Sequence, residues 1–328
     1  MASVTGYREA MAEFAQMRTM DLWYASLDEG ELMRAVHGTV AETKDKKGKK
    51  GKKGGADKKF AKQREKIAEK TREKAHTRDS LQALSKLAEI ADGKYRIVSQ
   101  PPIVVPERDL LATFGLSPDE MDHAIREQFV AYRATLQDDR RYLLERFEIV
   151  DAARKVVGVG SVGTRAFIVL LQGRDARDPL FLQIKEATTS VLEEHVGKSK
   201  YRQHGERVVQ GQRMMQAASD IYLGWTKGLD VRRHYYWRQL RDMKGSIEAE
   251  SLLPAGLSFY GGICGWTLAR AHARSGDPVA IAEYLGKTDA FDRSITDFSL
   301  AYADQNEQDY QEFVNAVKSG RLQALEGV

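Results

Sequence analysis

The feature that most restricts the fold is a glycine-rich stretch at residues 156–173, which reads VVGVGSVGTRAFIVLLQG. Gly158, Gly160 and Gly163 have the G-x-G-x-x-G spacing of loops whose backbone N–H groups approach a phosphate. In a dinucleotide-binding fold, a helix begins after the third glycine and an acidic residue follows about 20 positions later. Here a run of β-branched and aromatic residues follows, which predicts a strand. The sequence therefore argues against a dinucleotide-dependent oxidoreductase.

A glycine loop between two strands is typical of the protein-kinase arrangement, in which a lysine on the third strand reaches the nucleotide phosphates. The alternating segment DPLFLQIKEA predicts that third strand, and Lys185 lies near its end. A lysine on a half-buried strand face is costly unless an anion meets it. We therefore expect Gly158, Gly160, Ser161, Gly163 and Lys185 to bind the phosphates of ATP, with Mg²⁺ as the accompanying ion. The plain alternative is a tight hairpin and a lysine that extends into solvent.

Two further residues complete the predicted nucleotide site. The kinase arrangement needs a glutamate on the next helix to pair with the lysine, and Glu206 in HGERVVQGQR is our choice. The segment YYWRQL stands where backbone groups would meet an adenine edge, which makes Gln239 the candidate there. Glu206 also fits a solvated helix position, and the residues after Gln239 equally fit a surface turn. We assign no catalytic residue and no metal ligand.

Helical periodicity precedes and follows the β-rich segment. Apolar residues recur at helical spacing over residues 7–36, and Leu81, Leu84, Leu87 and Ile90 form a second helical stripe. These patterns predict an α+β fold, a kinase-like antiparallel β-sheet lobe flanked by helical regions.

The segments divide the chain into three expected regions, which are a mainly helical region over 1–145, the nucleotide-binding lobe over 146–245, and a helical C-terminal region over 246–328.

Local signals fix several helix ends. Ser117, Pro118 and Glu120 form a capping-box pattern that predicts the start of a helix. The segment YGGICGWTLARAHARSG predicts a helix that stops at Gly276, and two more helices are expected within residues 278–318.

The positive charge of the chain is concentrated in one insert. The net charge is +4, whereas residues 44–59 hold nine Lys and two Asp, a local charge of +7 that leaves 4 − 7 = −3 for the rest. Glycines between the lysine pairs predict a solvated, disordered loop. Such a loop can contact phosphate backbones through counterion release, but no aromatic residues interleave to stack bases. The alternative function is therefore a non-enzymatic binding or scaffold protein, whose basic loop contacts an acidic partner or nucleic acid.

The sequence favours a cytoplasmic protein without a membrane partner. It has no run of about 18 apolar residues, and its N-terminus lacks the apolar core of a signal peptide. A single cysteine, Cys264, excludes an internal disulfide and a Cys-rich metal site. We expect Cys264 to be a buried thiol on a helix.

Six segments together resemble the bacterial family named domain of unknown function 2252, over a match from about residue 7 to the C-terminus. They are GVGSVGTRAFIVLL, PLFLQIKEATTSVLE, HGERVVQGQRMMQAASDIYLGW, RQLRDMKGS, CGWTLARAHARSGD and YADQNEQDY. Members of that family are distantly similar to protein kinases and aminoglycoside phosphotransferases. The resemblance implies an ATP-binding, phosphotransferase-like fold with an unknown substrate.

One departure from the family concerns catalysis. Longer members carry a G-D-x-H-x-x-N-F-G segment followed by D-x-N-D-F-D, and this chain contains neither. The resemblance therefore implies an N-terminally truncated chain that binds a nucleotide weakly and lacks the groups for transfer, unless the start codon has been assigned too late. His272 and Asp277 fit helix and loop positions better than an acid–base pair.

Overall fold

The computed structural model describes six stretches of the chain, which are residues 1–27, 80–91, 94–156, 163–240, 249–252 and 254–324. The lysine-rich insert at 44–59 and the site candidates Gly158, Gly160 and Ser161 lie outside the described residues.

The protein has the predicted α+β fold. Its described helices are α1 (Ala2–Phe14), α2 (Thr19–Tyr24), α3 (Ser80–Leu87), α4 (Leu111–Phe114), α5 (Pro118–Arg133), α6 (Asp138–Leu144), α7 (Glu193–Val196), α8 (His204–Met215), α9 (Pro254–Ser275), α10 (Pro278–Leu285) and α11 (Ala290–Lys318). Its described strands are β1 (Ala88–Ala91), β2 (Lys94–Ile97), β3 (Val104–Pro106), β4 (Glu148–Lys155), β5 (Ala166–Gln172), β6 (Pro179–Ala187), β7 (Gly224–Lys227) and β8 (His234–Gln239). Short 3₁₀ turns occupy Glu107–Asp109 and Ala249–Ser251.

The described residues form two compact units. One contains residues 1–27, 214–217, 249–252 and 254–324, and the other contains residues 80–91, 94–156, 163–213 and 218–240. The three-region division at 145 and 245 stays a prediction.

The second unit is built on a six-stranded antiparallel sheet with the order β3-β4-β5-β6-β8-β7, and β1 and β2 form a separate hairpin. The strands predicted around the glycine stretch and in DPLFLQIKEA are β4, β5 and β6, which are adjacent in the sheet. The sequence alternation is therefore a correct guide to the central strands.

Apolar side chains cover both faces of this sheet. On one face, the rings of Tyr132 from α5 and Trp237 from β8 stack with centroids 4.4 Å apart. On the other face, Leu84 and Leu87 of α3 are buried against Phe181 of β6. Burying such side chains is the main favourable contribution to folding.

The predicted helical stripe through Leu81, Leu84, Leu87 and Ile90 is wrong at its end. The helix stops at Leu87, and Ile90 lies on β1 with 68% of its surface exposed. The alternation of a strand replaces the helical period there, because the chain turns into the β1–β2 hairpin.

The capping box at the start of α5 is confirmed. The Ser117 N–H and hydroxyl donate to Glu120 Oε2 at 2.8 and 2.7 Å, and the Glu120 N–H donates to Ser117 Oγ at 3.3 Å. The hydrogen bonds from Ser117 lower the pKa of Glu120. Side-chain caps of this kind satisfy N–H groups that the first helical turn leaves unpaired.

In the first unit, α1 packs closely on α9 through glycines. A Cβ added at Gly6 would lie 2.8 Å from the carbonyl oxygen of Gly262, and one added at Gly265 would overlap the backbone of Ser3. The helix ends predicted for this region are confirmed, because α9 stops one residue before Gly276 and α10 and α11 follow.

The expectation that Cys264 is buried is wrong. Cys264 lies on α9 but is exposed, because α1 covers the glycine face of that helix and leaves the thiol outside the contact.

His272 and Asp277 have the structural roles expected for them. His272 Nδ1 lies 2.9 Å from the Tyr7 hydroxyl, and Asp277 caps α10 by accepting from the N–H groups of Val279 and Ala280 at 2.9 and 3.1 Å.

The described helices include none with the length and apolar character that a membrane span requires.

Candidate functional site

The glycine stretch connects β4 to β5, and Gly163 is the part of its glycine pattern that the structure describes. Gly163 has a φ of +83°, in the left-handed region that side chains other than glycine rarely adopt. The sequence therefore needs glycine at this position for the backbone to enter β5. Phosphate binding by Gly158, Gly160 and Ser161 stays a prediction.

Lys185 lies at the end of the sheet from which the glycine stretch leaves. Its Cα partners are Ala166 on β5 and Tyr236 on β8. Because Ala166 is the first residue of β5, the strand register brings Lys185 next to the base of the hairpin. This placement is what a lysine on the third strand needs in order to reach phosphates held by such a hairpin.

A second lysine lies on the same face at the same end. Successive side chains of a strand point to opposite faces, so Lys155 shares the face of Ala153, which packs with Ile168. Lys185 shares the face of Phe181, which belongs to the same apolar cluster. Lys155 and Lys185 thus flank β5 on one face, with Cα atoms about 10 Å apart for two strand spacings. We did not predict Lys155, although the alternation in DAARK could have indicated it.

Lys185 is half-buried and has no carboxylate partner within 4.0 Å among the described residues. Burial lowers the pKa of Lys185, and the charge of Arg238 lowers it further. Arg238 is the partner of Gln183 in the register, and its Nε lies 3.9 Å from Asp220 Oδ2. The face around Lys185 is therefore positively charged and partly shielded from water.

Glu206 lies in the first turn of α8, as predicted, but it forms no ion pair with Lys185 in the described part of the chain. Helix α8 lies beside the edge strand β7, where the Arg213 guanidinium is 6.0 Å from the Trp225 ring and donates to the Leu223 carbonyl. Pairing of Glu206 with Lys185 stays a prediction.

Gln239 is not brought to Lys185. It follows Tyr236 by three residues, so its side chain lies on the opposite face of the sheet. Its N–H donates to Asp220 Oδ2 at 2.6 Å, which occupies the backbone group that would meet an adenine edge. An adenine contact at Gln239 remains a prediction without a geometric basis.

Sequence reasoning also missed Glu186, which fixes the base of the hairpin. Its carboxylate is nearly buried and accepts from the Arg165 N–H at 3.0 Å and from Arg233 Nη1 at 2.9 Å. Burial opposes its ionisation, but these hydrogen bonds outweigh burial and lower the pKa of Glu186. The ionic cluster therefore holds Arg165, the residue before β5, against the end of β6, next to Lys185.

The described residues contain no group of three or more His, Cys, Asp or Glu side chains placed to hold a metal ion.

Comparison with known proteins gives one match. A family model described as an uncharacterised protein conserved in bacteria, domain of unknown function 2252, covers residues 1–316. No curated protein and no solved structure matches the chain.

Proposed function

The chain belongs to the bacterial family named domain of unknown function 2252, and for this member we propose binding of a nucleoside triphosphate at the hairpin end of the six-stranded sheet. The observation that carries the proposal is the position of Lys185. It is a half-buried lysine without a carboxylate partner among the described residues, and it lies beside the base of a glycine-rich hairpin.

The electrostatics of this face favour an anion. Partial desolvation disfavours the charged form of the Lys185 ammonium group, and the charge of Arg238 disfavours it further. Phosphate oxygens between Lys155 and Lys185 would offset both effects and restore the pKa of Lys185. The glycine-rich sequence between β4 and β5 would add backbone N–H groups, which bind phosphate oxygens in many anion sites.

The residues that would hold the nucleotide follow from this geometry. Lys185 would contact phosphate oxygens as a point charge, with Lys155 on the far side of Ala166 and Arg238 behind it. Mg²⁺ would accompany the triphosphate and offset part of its charge. The proposal concerns binding, because the sequence lacks the G-D-x-H-x-x-N-F-G and D-x-N-D-F-D segments that would supply a carboxylate to orient a nucleophile.

Titration with Mg-ATP tests this proposal. We expect Mg-ATP to raise the melting temperature of the wild-type protein, by the equivalent of about 2.7 kcal/mol at a hundred times its Kd. The variant Lys185→Met should lose most of that stabilisation. The matched control is Lys227→Met, which removes an exposed strand lysine from β7. Equal stabilisation of Lys185→Met and wild type would contradict the proposal, as would no stabilisation up to about 10 mM Mg-ATP.

DNA binding by the same protein distinguishes the alternative function, a scaffold, from nucleotide binding. A scaffold that acts through residues 44–59 would bind a DNA duplex at low salt, and its affinity would fall steeply with salt concentration. That binding would vanish on deletion of 44–59 and would be unchanged in Lys185→Met. Nucleotide binding, in contrast, would be unchanged on deletion of 44–59 and would be lost in Lys185→Met.

A further inference from the structure

A cavity of about 650 Å³ lies in the second unit, along the edge of β4. Strand β3 pairs with β4 only from Ala153 to Lys155, so Glu148 to Ala152 have no strand partner on that side within the described residues. Helix α5 contributes Met121 and Ile125 to the opposite wall. Cavities of roughly 300–1,000 Å³ suit small molecules.

This cavity is separate from the proposed nucleotide site. It reaches Gln172 and Gly173, at the end of β5 opposite to Ala166. Gln172 lies six residue steps along β5 from Ala166, which corresponds to about 20 Å. An inference about the cavity therefore does not depend on nucleotide binding.

The cavity is lined by charged groups, and only some of them form ion pairs with each other. Besides Glu107, its titratable lining residues are Tyr95, Arg108, Asp122, Arg126, Glu148 and Asp151. Both arginines are already engaged, because Arg108 Nη1 donates to Asp151 Oδ2 at 2.8 Å and Arg126 Nε donates to Asp122 Oδ2 at 2.7 Å.

Two further carboxyl groups form no close ion pair, although Glu148 is exposed and interacts with the charge of Arg126 at longer range. Neither Glu107 nor Glu148 has an ion-pair partner within 4.0 Å in the part of the chain that the structure describes. Glu107 Oε2 is buried and has no hydrogen-bond partner. A buried polar atom without a partner costs about 1–3 kcal/mol, and such atoms in native structures need an explanation.

We propose that the cavity binds a small organic cation with an apolar body, whose ammonium or guanidinium group pairs with Glu107 and Glu148. The apolar side chains of Leu111, Met121 and Ile125 would cover the body of the ligand. The Glu148 carboxylate, the buried carboxyl group of Glu107 and an apolar wall match the charged group and the apolar body of such a molecule.

The protonation of Glu107 gives the binding a measurable signature. Burial and then the nearby Asp151 charge raise the pKa of Glu107 to about 8, so the side chain is mostly a neutral acid at pH 7. An ammonium group beside it stabilises the carboxylate, and the acid proton passes to the buffer as the ion pair forms. Binding at pH 7 therefore releases protons, up to one for each cation bound.

Calorimetry with two matched probes tests the inference. The probes are 4-phenylbutylamine and 4-phenylbutan-1-ol, which differ mainly in the charged group, in two buffers of different ionisation enthalpy at pH 7. We expect the amine to bind at least about tenfold more tightly than the alcohol, with a buffer-dependent heat that reports proton release. The variant Glu107→Gln should lose about tenfold in amine affinity and all of the proton release. Glu127→Gln, an exposed α5 variant outside the cavity, should behave as wild type.

A second variant keeps the test informative if Glu107→Gln is poorly folded. Ala176 is exposed and lines the cavity, so Ala176→Trp should block the amine while leaving the fold unchanged. Equal affinity for amine and alcohol would overturn the inference, and so would the absence of amine binding up to about 10 mM. Amine binding without proton release, or unchanged in both variants, would also overturn it. Stabilisation by Mg-ATP should be unaffected by Glu107→Gln, which separates this test from that of the nucleotide site.

Discussion

Arg8 of α1 donates from Nε and Nη2 to the two carboxylate oxygens of Asp292 of α11, each at 2.9 Å. Thr5 donates its hydroxyl to the same carboxylate at 3.0 Å, and the Asp292 side chain is only 1% exposed. Removing one partner of a buried ion pair leaves an uncompensated charge, at a cost of about 3–5 kcal/mol. The first unit therefore depends on this pair more than on its exposed ion pairs.

We predict that Arg8→Met lowers the free energy of unfolding of the first unit by about 3–5 kcal/mol, measured by urea denaturation. The matched control is Arg18→Met, which removes the exposed Arg18–Asp21 pair and should cost less than about 1 kcal/mol. Similar losses in the two variants would show that the burial of Asp292 has no energetic consequence.

The same pair predicts a pH dependence at low pH. Hydrogen bonds from Arg8 lower the pKa of Asp292, so the folded state binds the Asp292 proton less readily than the unfolded state does. Its stabilising contribution is present above the ordinary carboxyl pKa of about 3.9 and is lost as the pH falls through the folded pKa. Denaturation midpoints of wild type and Arg8→Met should converge in that range, and parallel curves would contradict the prediction.

Glu107 predicts the opposite pH dependence. Its pKa rises from 4.5 to about 8 in the folded state, so the folded protein holds a proton that the unfolded chain releases. The free energy of unfolding should fall between those pH values, by about 1.4 kcal/mol for each unit of pKa shift. Glu107→Gln should flatten this slope and be more stable than wild type at pH 8, in urea titrations across the range. If the free energy of unfolding of Glu107→Gln fell with pH as steeply as that of the control Glu127→Gln, a buried acid at position 107 would be excluded.

The contact between α1 and α9 predicts contrasting effects of two glycine substitutions. A Cβ at Gly265 meets backbone atoms of Ser3, whereas a Cβ at Gly262 meets nothing within 4 Å. Gly265→Ala should force the helices apart and lower the melting temperature, with a cost of about 1–3 kcal/mol for overpacking. Gly262→Ala should instead stabilise the protein by about 0.4–1 kcal/mol, because alanine favours the helix. Thermal unfolding of both variants tests this prediction. Equal changes in melting temperature would mean that the close contact between α1 and α9 does not require glycine at position 265.

Lys185 is expected to contribute to ligand binding but not to the stability of the ligand-free protein. Because burial and Arg238 disfavour its charge, Lys185→Met should leave the ligand-free protein as stable as wild type or slightly more so, by less than about 1 kcal/mol. Thermal unfolding without nucleotide measures this effect. A large loss of stability would show that Lys185 has a structural role instead.

Local patterns in the sequence predicted the strands and helix ends well. The alternation in DPLFLQIKEA is enough to place Lys185 on a strand, because side-chain direction in a strand repeats every two residues. The capping box at Ser117 and the helix stop before Gly276 depend on neighbouring residues alone, and both are confirmed.

The missed features depend on contacts between residues far apart in the sequence. Glu107 and Glu148 meet one cavity only after β3, β4 and α5 have packed, so neither residue has a local signal. The exposure of Cys264 follows from which face of α9 receives α1, and helical periodicity cannot show that. Lys155 could have been found, because its alternation with Ala153 is visible in the sequence.

Ala166 occupies the strand position between the two lysines of β4 and β6, and its side chain is buried. A bulky residue in that register would stand between the two lysine side chains. The pairing of three strands thus imposes a small residue at position 166, a requirement that comes from strand register and not from the neighbours of Ala166 in the sequence.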